Sequence, residues 1–178
     1  MNSIADQIAS QLQPLVGLKL SIARRAADMR GFHFGPIKRV EGGTIADYAL
    51  HIQCPWRLED ENGIITGRTD LWEPAEITPD IDWDTWDYDE NENLQDHRLE
   101  SVLGGYDSET HSFVNNSDLL VVENFHVDNY GGVTLLLSGG YRLVIFPAGS
   151  QGEDWRLLGP DSKVHHLVIS GGKIERYP

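Results

Sequence analysis

Apolar residues recur at helical spacing over the first sixteen positions of the chain. Ile4, Ile8 and Leu12 fall on one face of a helix, and such an apolar face is normally buried against a core. Pro14 disfavours helical geometry at the residue before it, so the helix should end there. The pattern predicts an N-terminal helix within residues 1–16 that covers a sheet. Binding to a partner is the alternative use of the same face.

Past this helix, apolar and polar residues alternate, which is typical of strands that bury one face. The alternation runs through residues 18–23 and, more clearly, through residues 48–57. Turn-forming residues at positions 60–63 follow the second run, and a further extended run covers residues 64–72. Together these features predict a β-hairpin.

The last third of the chain has the densest strand signals. Four runs are rich in β-branched, aromatic and leucine residues, namely 119–127, 133–137, 141–146 and 164–170. Gly-Gly pairs lie in the short joints between the first three runs and directly after the last run, and such pairs can adopt the positive φ angles of tight hairpins. We therefore predict a C-terminal β-meander. The whole chain, residues 1–178, is predicted to be a single α+β domain in which the N-terminal helix packs on a mostly antiparallel sheet.

Charge is concentrated in one part of the chain. The 178 residues include 14 basic and 28 acidic ones, for a net charge of −14. Residues 73–100 hold 11 of the acidic residues and only one basic residue, Arg98, so this stretch alone carries −10. We interpret it as an acidic surface connection that ends in a short helix over residues 93–102. Because binding to a nucleic-acid backbone needs surplus Lys and Arg, we expect no nucleic-acid partner.

Acidic and aromatic residues are interleaved within this connection. The candidate partner-binding residues are Asp82, Trp83, Asp84, Trp86, Asp87 and Asp89. Aromatic side chains provide contact area and carboxylates steer the approach of a basic protein, so the segment suits a non-enzymatic, immunity- or inhibitor-like binding module. An irregular calcium site is one alternative, although no EF-hand loop with Gly at its sixth position and Glu at its twelfth is present. The other alternative is a solvated loop whose tryptophans pack back onto the domain.

A second group of polar residues lies on otherwise apolar strand runs. If the predicted strands hold, His51 shares a face with Arg57, and Arg68 shares a face with Asp70. Arginines beside a carboxylate can hold a small anion through forked hydrogen bonds. The alternative function is therefore a small-molecule binding protein or hydrolase with a pocket near these four residues. In the competing interpretation, the arginines pair with local carboxylates, and the neighbouring Trp56 and Trp155 anchor the core.

Signatures of the common enzyme classes are missing from the sequence. It contains none of the motifs G-x-S-x-G, G-x-G-x-x-G, G-x-x-x-x-G-K-[ST] and H-E-x-x-H. Residues three apart on a strand point to opposite faces, so His51 and Cys54 should not share a metal, and Cys54 is expected to be a buried apolar residue. His165 and His166 should diverge for the same reason. We expect no catalytic residues, no cofactor and no required metal ion.

The segments ALHIQCPWRLED, GRTDLWEP, GGYRLVIFP and GEDWRLL resemble those of a family of small uncharacterised bacterial proteins. The resemblance extends over most of the chain from about Leu18 and implies a bacterial cytosolic protein without a transferable activity. The N-terminus lacks the basic start and apolar run of a signal peptide, and no run of about 18 apolar residues predicts a membrane span. We therefore expect a cytoplasmic protein without a membrane partner.

Overall fold

The computed structural model describes residues 3–41, 43–160 and 166–175. It begins with helix α1 (Ile4–Leu12), which continues into a 3-10 turn over Gln13–Leu15. The Ser3 hydroxyl accepts a hydrogen bond from the Asp6 amide at 3.0 Å, and the Asp6 carboxylate accepts one from the Ser3 amide at 2.9 Å, which caps the first turn. Ile8 and Leu12 are buried. The predicted N-terminal helix is confirmed.

Strands account for most of the remaining secondary structure in the described chain. In chain order they are β1 (Leu20–Ala26), β2 (Met29–Phe34), β3 (Lys38–Val40), β4 (Gly43–Ile45), β5 (Tyr48–Ile52), β6 (Trp56–Glu59), β7 (Ile64–Gly67), β8 (Tyr106–Asp107), β9 (Ser112–Val114), β10 (Val122–Val127), β11 (Val133–Leu137), β12 (Tyr141–Ile145), β13 (Glu153–Leu158), β14 (Leu167–Ser170) and β15 (Lys173–Glu175). A second helix, α2 (Leu94–Leu103), lies between β7 and β8. The sequence predicted this helix over residues 93–102.

Within the described residues these strands form two large sheets and one separate hairpin. The larger sheet has the order β15-β14-β13-β5-β2-β1-β9-β8, the smaller has the order β10-β11-β12-β6-β7, and β3 pairs with β4. Every pairing is antiparallel, and β10, β11 and β12 are consecutive neighbours. The predicted α+β fold with a C-terminal meander is confirmed. The predicted strand at 164–170 is seen as β14, and its first residues, 164 and 165, lie outside the described part of the chain.

The predicted strand over residues 48–57 is wrong as one element. Its alternation continues without a break, but β5 ends at Ile52 in the larger sheet and β6 begins at Trp56 in the smaller one. Between them the amides of Gln53 and Cys54 both donate to the Asp154 carbonyl, at 2.8 and 3.0 Å, and Pro55 has no amide to donate. The chain therefore crosses from one sheet to the other at this point.

The predicted hairpin is confirmed as β6–β7, but the returning strand is shorter than predicted. It ends at Gly67, and Arg68–Trp72 form a 3-10 helix. The carboxylate of Asp70 accepts hydrogen bonds from the Gly67 amide at 3.2 Å and from the Thr66 hydroxyl at 2.9 Å, which favours the tight turn over an extended chain. Arg68 and Asp70 consequently do not share a strand face, and neither do His51 and Arg57.

One hydrophobic cluster joins both sheets and both helices. Phe32 of the larger sheet and Trp56 of the smaller sheet meet edge to face, with ring centroids 5.0 Å apart. Trp155 is completely buried, so both tryptophans are core anchors as predicted. Cys54 is also buried, and burial raises the pKa of its thiol to about 12, as expected for a residue that serves packing.

Candidate functional site

The acidic segment, defined here as residues 73–92, is a loop whose two ends are hydrogen-bonded to each other. The Ala75 amide donates to the Glu92 carbonyl at 3.0 Å, and the Leu94 amide donates to the Glu73 carbonyl at 2.7 Å. Pro74 next to this pairing is buried. The loop is therefore closed at its base, while its middle extends away from the hydrophobic cluster.

Two short turns order the middle of the acidic segment. The Asp82 carbonyl accepts from the Trp86 amide at 2.9 Å, and its side chain accepts from the Asp84 amide at 3.1 Å. The Asp87 side chain accepts from the Asp89 amide at 2.7 Å and begins a second turn of the same kind. Aspartate carboxylates that bond to the backbone two residues on favour such turns, so the acidic residues order their own loop.

The aromatic residues of the segment differ in exposure. Trp83 is 57% exposed, whereas Trp86 is half-buried. Tyr88 packs edge to face against Trp72, with ring centroids 4.7 Å apart. Of the predicted aromatic pair, Trp83 alone presents most of its surface to solvent.

The carboxylates of the segment divide into paired and unpaired ones. Asp89 forms an ion pair with Arg25 of β1, whose guanidinium also lies over the Tyr88 ring at 5.2 Å from its centroid. Asp82, Asp84 and Asp87 are exposed and form no ion pair with any described residue. Glu92 pairs with His97, whereas Glu73, Glu76, Asp80 and Glu90 form no ion pair with a described residue. Trp83 therefore lies among unpaired carboxylates that extend along most of the segment.

The four residues of the alternative pocket have separate surroundings. Arg57 pairs with Glu59 at 2.6 Å on the smaller sheet, and Arg68 pairs with Asp28 at 2.6 Å. Asp70 is engaged in the turn described above. His51 lies on the larger sheet and lines a different cavity. The structure does not bring these four side chains into one concave site.

The cavity that contains His51 has a volume of about 480 Å³ and lies on the face of the larger sheet opposite the hydrophobic cluster. Its floor follows from strand register: Gly31 of β2 is directly opposite Arg24 of β1 on one side and His51 of β5 on the other. His33 lies two residues along β2 on the same face. The segment around β4 closes one side through Ile45, and residues 158–160 contribute another side.

The two imidazole rings converge above Gly31. Their centroids are 6.1 Å apart, and an ideal Cβ on Gly31 would lie 3.3 Å from His33 Nε2 and 3.7 Å from His51 Nε2. Neither ring is hydrogen-bonded to another described residue. A side chain at position 31 would therefore crowd the His33 ring and contact the His51 ring, so the glycine leaves room for the two rings.

The electrostatics of the cavity favour neutral imidazoles. Burial, followed by the nearby charge of Arg24, lowers the pKa of His33 to about 4. Burial, followed by Arg156, also lowers the pKa of His51. Desolvation likewise lowers the pKa of Arg24, whose guanidinium donates to the Thr44 hydroxyl at 2.8 Å. The buried Nε of Arg24 has no hydrogen-bond partner in the described part of the chain.

Sequence reasoning identified His51 but missed the other residues of this floor. The only signal was Gly31 in the middle of the stretch Met29–Phe34, because a strand glycine often marks close approach by another group. Arg24 and His33 become relevant only when the register of β1, β2 and β5 is known.

The described residues contain neither a candidate metal site nor a membrane-spanning helix. Across residues 3–41, 43–160 and 166–175, no three His, Cys, Asp or Glu side chains are grouped in a way that could hold a metal ion. Neither helix of the described chain has the length and hydropathy needed to span a membrane. His165 lies outside the described residues, and the Nδ1 of its neighbour His166 is buried without a described partner.

Comparison of the chain with protein-family models, curated proteins and solved structures finds no match. The resemblance to small bacterial proteins therefore remains a prediction. The function of the chain is therefore inferred from its own sequence and structure.

Proposed function

We propose that the protein is a non-enzymatic binding module whose acidic segment engages a basic protein partner. The observation that carries this proposal is the exposure of Trp83 among Asp82, Asp84 and Asp87, none of which is paired with a described residue. Tryptophan is among the residue types that contribute most at protein interfaces when a partner buries them. Exposed carboxylates around it would steer a basic surface toward the indole and oppose acidic partners.

The order of the segment supports the same proposal. The paired ends and the aspartate-capped turns hold the loop in one conformation before a partner arrives. Association then loses less conformational entropy than it would with an unstructured acidic tail. Size and charge fit an immunity- or inhibitor-like protein, which neutralises a basic partner by covering it.

The partner we expect is a folded protein with two matching features. A cluster of Lys or Arg side chains would face Asp82, Asp84 and Asp87, and an apolar pocket would accept the Trp83 indole. Ile77, which is 71% exposed in the same segment, offers a second apolar contact. Because exposed charges are screened by salt, binding should weaken as ionic strength rises.

The test combines affinity capture from a bacterial lysate with titration of the purified captured partner. One variant is Trp83→Ala. The other replaces Asp82, Asp84 and Asp87 by Asn, which removes three charges and retains a side-chain carbonyl that can accept the turn hydrogen bonds. The matched control replaces three exposed glutamates outside the segment, Glu61, Glu109 and Glu123, by Gln.

We expect each segment variant to weaken binding of the captured partner by at least about tenfold, because interface tryptophans and steering charges contribute on this scale. The control should bind like the wild type at the same salt concentration. Equal loss in the control would show that total charge, rather than this segment, drives capture. Unchanged binding in both segment variants would overturn the proposal.

A further inference from the structure

We propose that the cavity above Gly31 binds a small monocarboxylate with an apolar body. This inference is independent of the acidic segment. The cavity opens on the outer face of the larger sheet, and its polar groups come from β1, β2 and β5.

A row of residues crosses the larger sheet at the level of this cavity. Across four neighbouring strands, the residues in register are Arg24, Gly31, His51 and Arg156. Three of them are large and polar, and the glycine between them leaves room for the two imidazole rings, which border the open part of the cavity. A ligand placed there would contact Arg24 on one side and the two imidazole rings on the other.

The carboxylate is assigned from the unmet hydrogen-bonding capacity of Arg24. Its terminal nitrogen is held by the carbonyl and hydroxyl of Thr44, which fixes the guanidinium in place. Its Nε is buried and has no partner among the described residues. A buried, charged donor without an acceptor is costly, and a carboxylate supplies both the acceptor and the opposite charge.

Arg156 does not compete for this role, since it is already held by a carboxylate of the protein. Its Nε donates to Glu153 at 2.6 Å, and a second nitrogen bonds the other oxygen of the same side chain. The arginine at this end of the row is therefore neutralised by the chain itself. Arg24 has no carboxylate within ion-pair distance in the described chain, although the charge of Asp107 acts on it from farther away. This contrast between Arg24 and Arg156 locates the anionic group of the ligand at the β1 side.

The remaining walls define the body of the ligand. They are mainly apolar, with contributions from Met29, Ala49, Ile45 and Leu158. A volume of about 480 Å³ is within the range of small-molecule sites. Asp47 also lines the cavity and is paired with Lys38, so a second negative group on the ligand would meet a carboxylate. These features favour one carboxylate on an apolar body over a dicarboxylate or a polar sugar.

The imidazole rings of His33 and His51 provide further hydrogen-bonding groups that would orient the ligand. Each neutral ring has one nitrogen that donates and one that accepts, and neither ring uses them within the described chain. His33 and His51 can therefore complete the hydrogen bonds of a carboxylate held by Arg24.

The first test uses the intact wild-type protein and three probes of the same size: benzoate, benzamide and benzylamine. Binding is followed by NMR through the ring signals of the histidines. We expect benzoate to shift the His33 and His51 signals saturably and to bind about tenfold more tightly than benzamide, because a charged hydrogen bond exceeds a neutral one by about that factor. Benzylamine should not bind. Absence of a saturable shift with benzoate, or equal binding of benzoate and benzamide, would overturn the inference.

The second test assigns the preference to Arg24. In Arg24→Gln the advantage of benzoate over benzamide should fall to about twofold or less, whereas Arg24→Lys should keep part of it, since only the charge is retained. The matched control is Arg57→Gln, an arginine of the smaller sheet that is paired with Glu59 and should leave both affinities unchanged. A preference that persists in Arg24→Gln would overturn the assignment. The wild-type probe series decides the question even if this variant does not fold.

Discussion

The acidic segment and the cavity above Gly31 are assembled in different ways. Neighbours in sequence form the acidic segment: Asp82 and Asp87 each order the residues that directly follow them. The cavity floor combines residues from β1, β2 and β5, which only strand register brings together. The first site depends on local turns that lie outside the hydrophobic cluster. The second depends on the larger sheet, so damage to the core should affect it much more strongly.

The largest expected difference between the two regions is in the loss of stability when one tryptophan in each is truncated. Trp155 is fully buried on β13, and its indole donates to the Gly131 carbonyl at 2.8 Å. We expect Trp155→Ala to lower the free energy of unfolding by about 4 kcal/mol, because it leaves a large cavity and an unpaired carbonyl. Trp83→Ala should change it by less than about 0.5 kcal/mol. Urea denaturation followed by circular dichroism measures both.

Similar losses for the two variants would contradict this prediction. They would mean that Trp83 packs on the core in solution and that the acidic segment is part of the same cooperative unit.

The next largest effect concerns protons at the cavity. In the unfolded chain a histidine titrates near 6.5, and folding lowers the pKa of His33 to about 4 through burial and the neighbouring Arg24 and His51. Between these values the unfolded state binds more protons than the folded state. The contribution of His33 to stability is therefore fully present above pH 6.5 and is lost as the pH falls toward 4. The full loss corresponds to about 3 kcal/mol.

This prediction is checked by urea unfolding of the wild type and of His33→Gln across that pH window. The variant should lose less stability on acidification, by up to about 3 kcal/mol. The difference between the two proteins above pH 7 reports the packing effect of the substitution and is subtracted. Parallel pH profiles for the two proteins would show that His33 does not titrate in this way.

The smallest of these effects concerns Arg25, which ties the acidic segment to β1. Arg25→Met keeps a long apolar stem and removes the ion pairs with Asp89 and with Asp96 of α2, together with the contact with the Tyr88 ring. We expect a loss of about 1–2 kcal/mol in the free energy of unfolding, as is usual for partly buried charged hydrogen bonds. Amide exchange should become faster over residues 86–91 and stay unchanged in β5. Hydrogen-exchange mass spectrometry tests this, and unchanged protection of residues 86–91 would show that the local turns alone hold the segment.

The parts of the fold that sequence could predict are those with local patterns. Helical spacing located α1, and the turn residues at 60–63 located the β6–β7 hairpin. The alternation of residues 48–57 led to the wrong prediction of a single strand. Both halves of that run bury one face, but they lie in different sheets. Pro55 is the only local sign of the break, and its missing amide is compatible with an edge position in an unbroken strand.

The candidate sites follow the same division. Charge counting located the acidic segment, but composition alone could not distinguish the exposed Trp83 from the half-buried Trp86. His51 was predicted to lie near Arg57, Arg68 and Asp70, because residues 48–57 and 64–72 were each assumed to form one continuous strand. The structure places the three residues elsewhere. The actual neighbours of His51 are His33 and Arg156, which belong to strands whose pairing no local pattern specifies.

Arg24 and Arg25 are adjacent on β1 and serve opposite faces of the sheet, one toward the cavity and one toward the acidic segment. If β1 shifted by one residue against β2, an arginine would still lie on each face. The charges of these two residues therefore do not select the observed register of β1 and β2. A bulge lies between Leu20 and Ile22, where the buried Ser21 hydroxyl donates to the Gly35 carbonyl at 2.5 Å, and we expect this bulge to fix the alignment. An alteration of this small anchor, remote from both sites, would misplace the two at once.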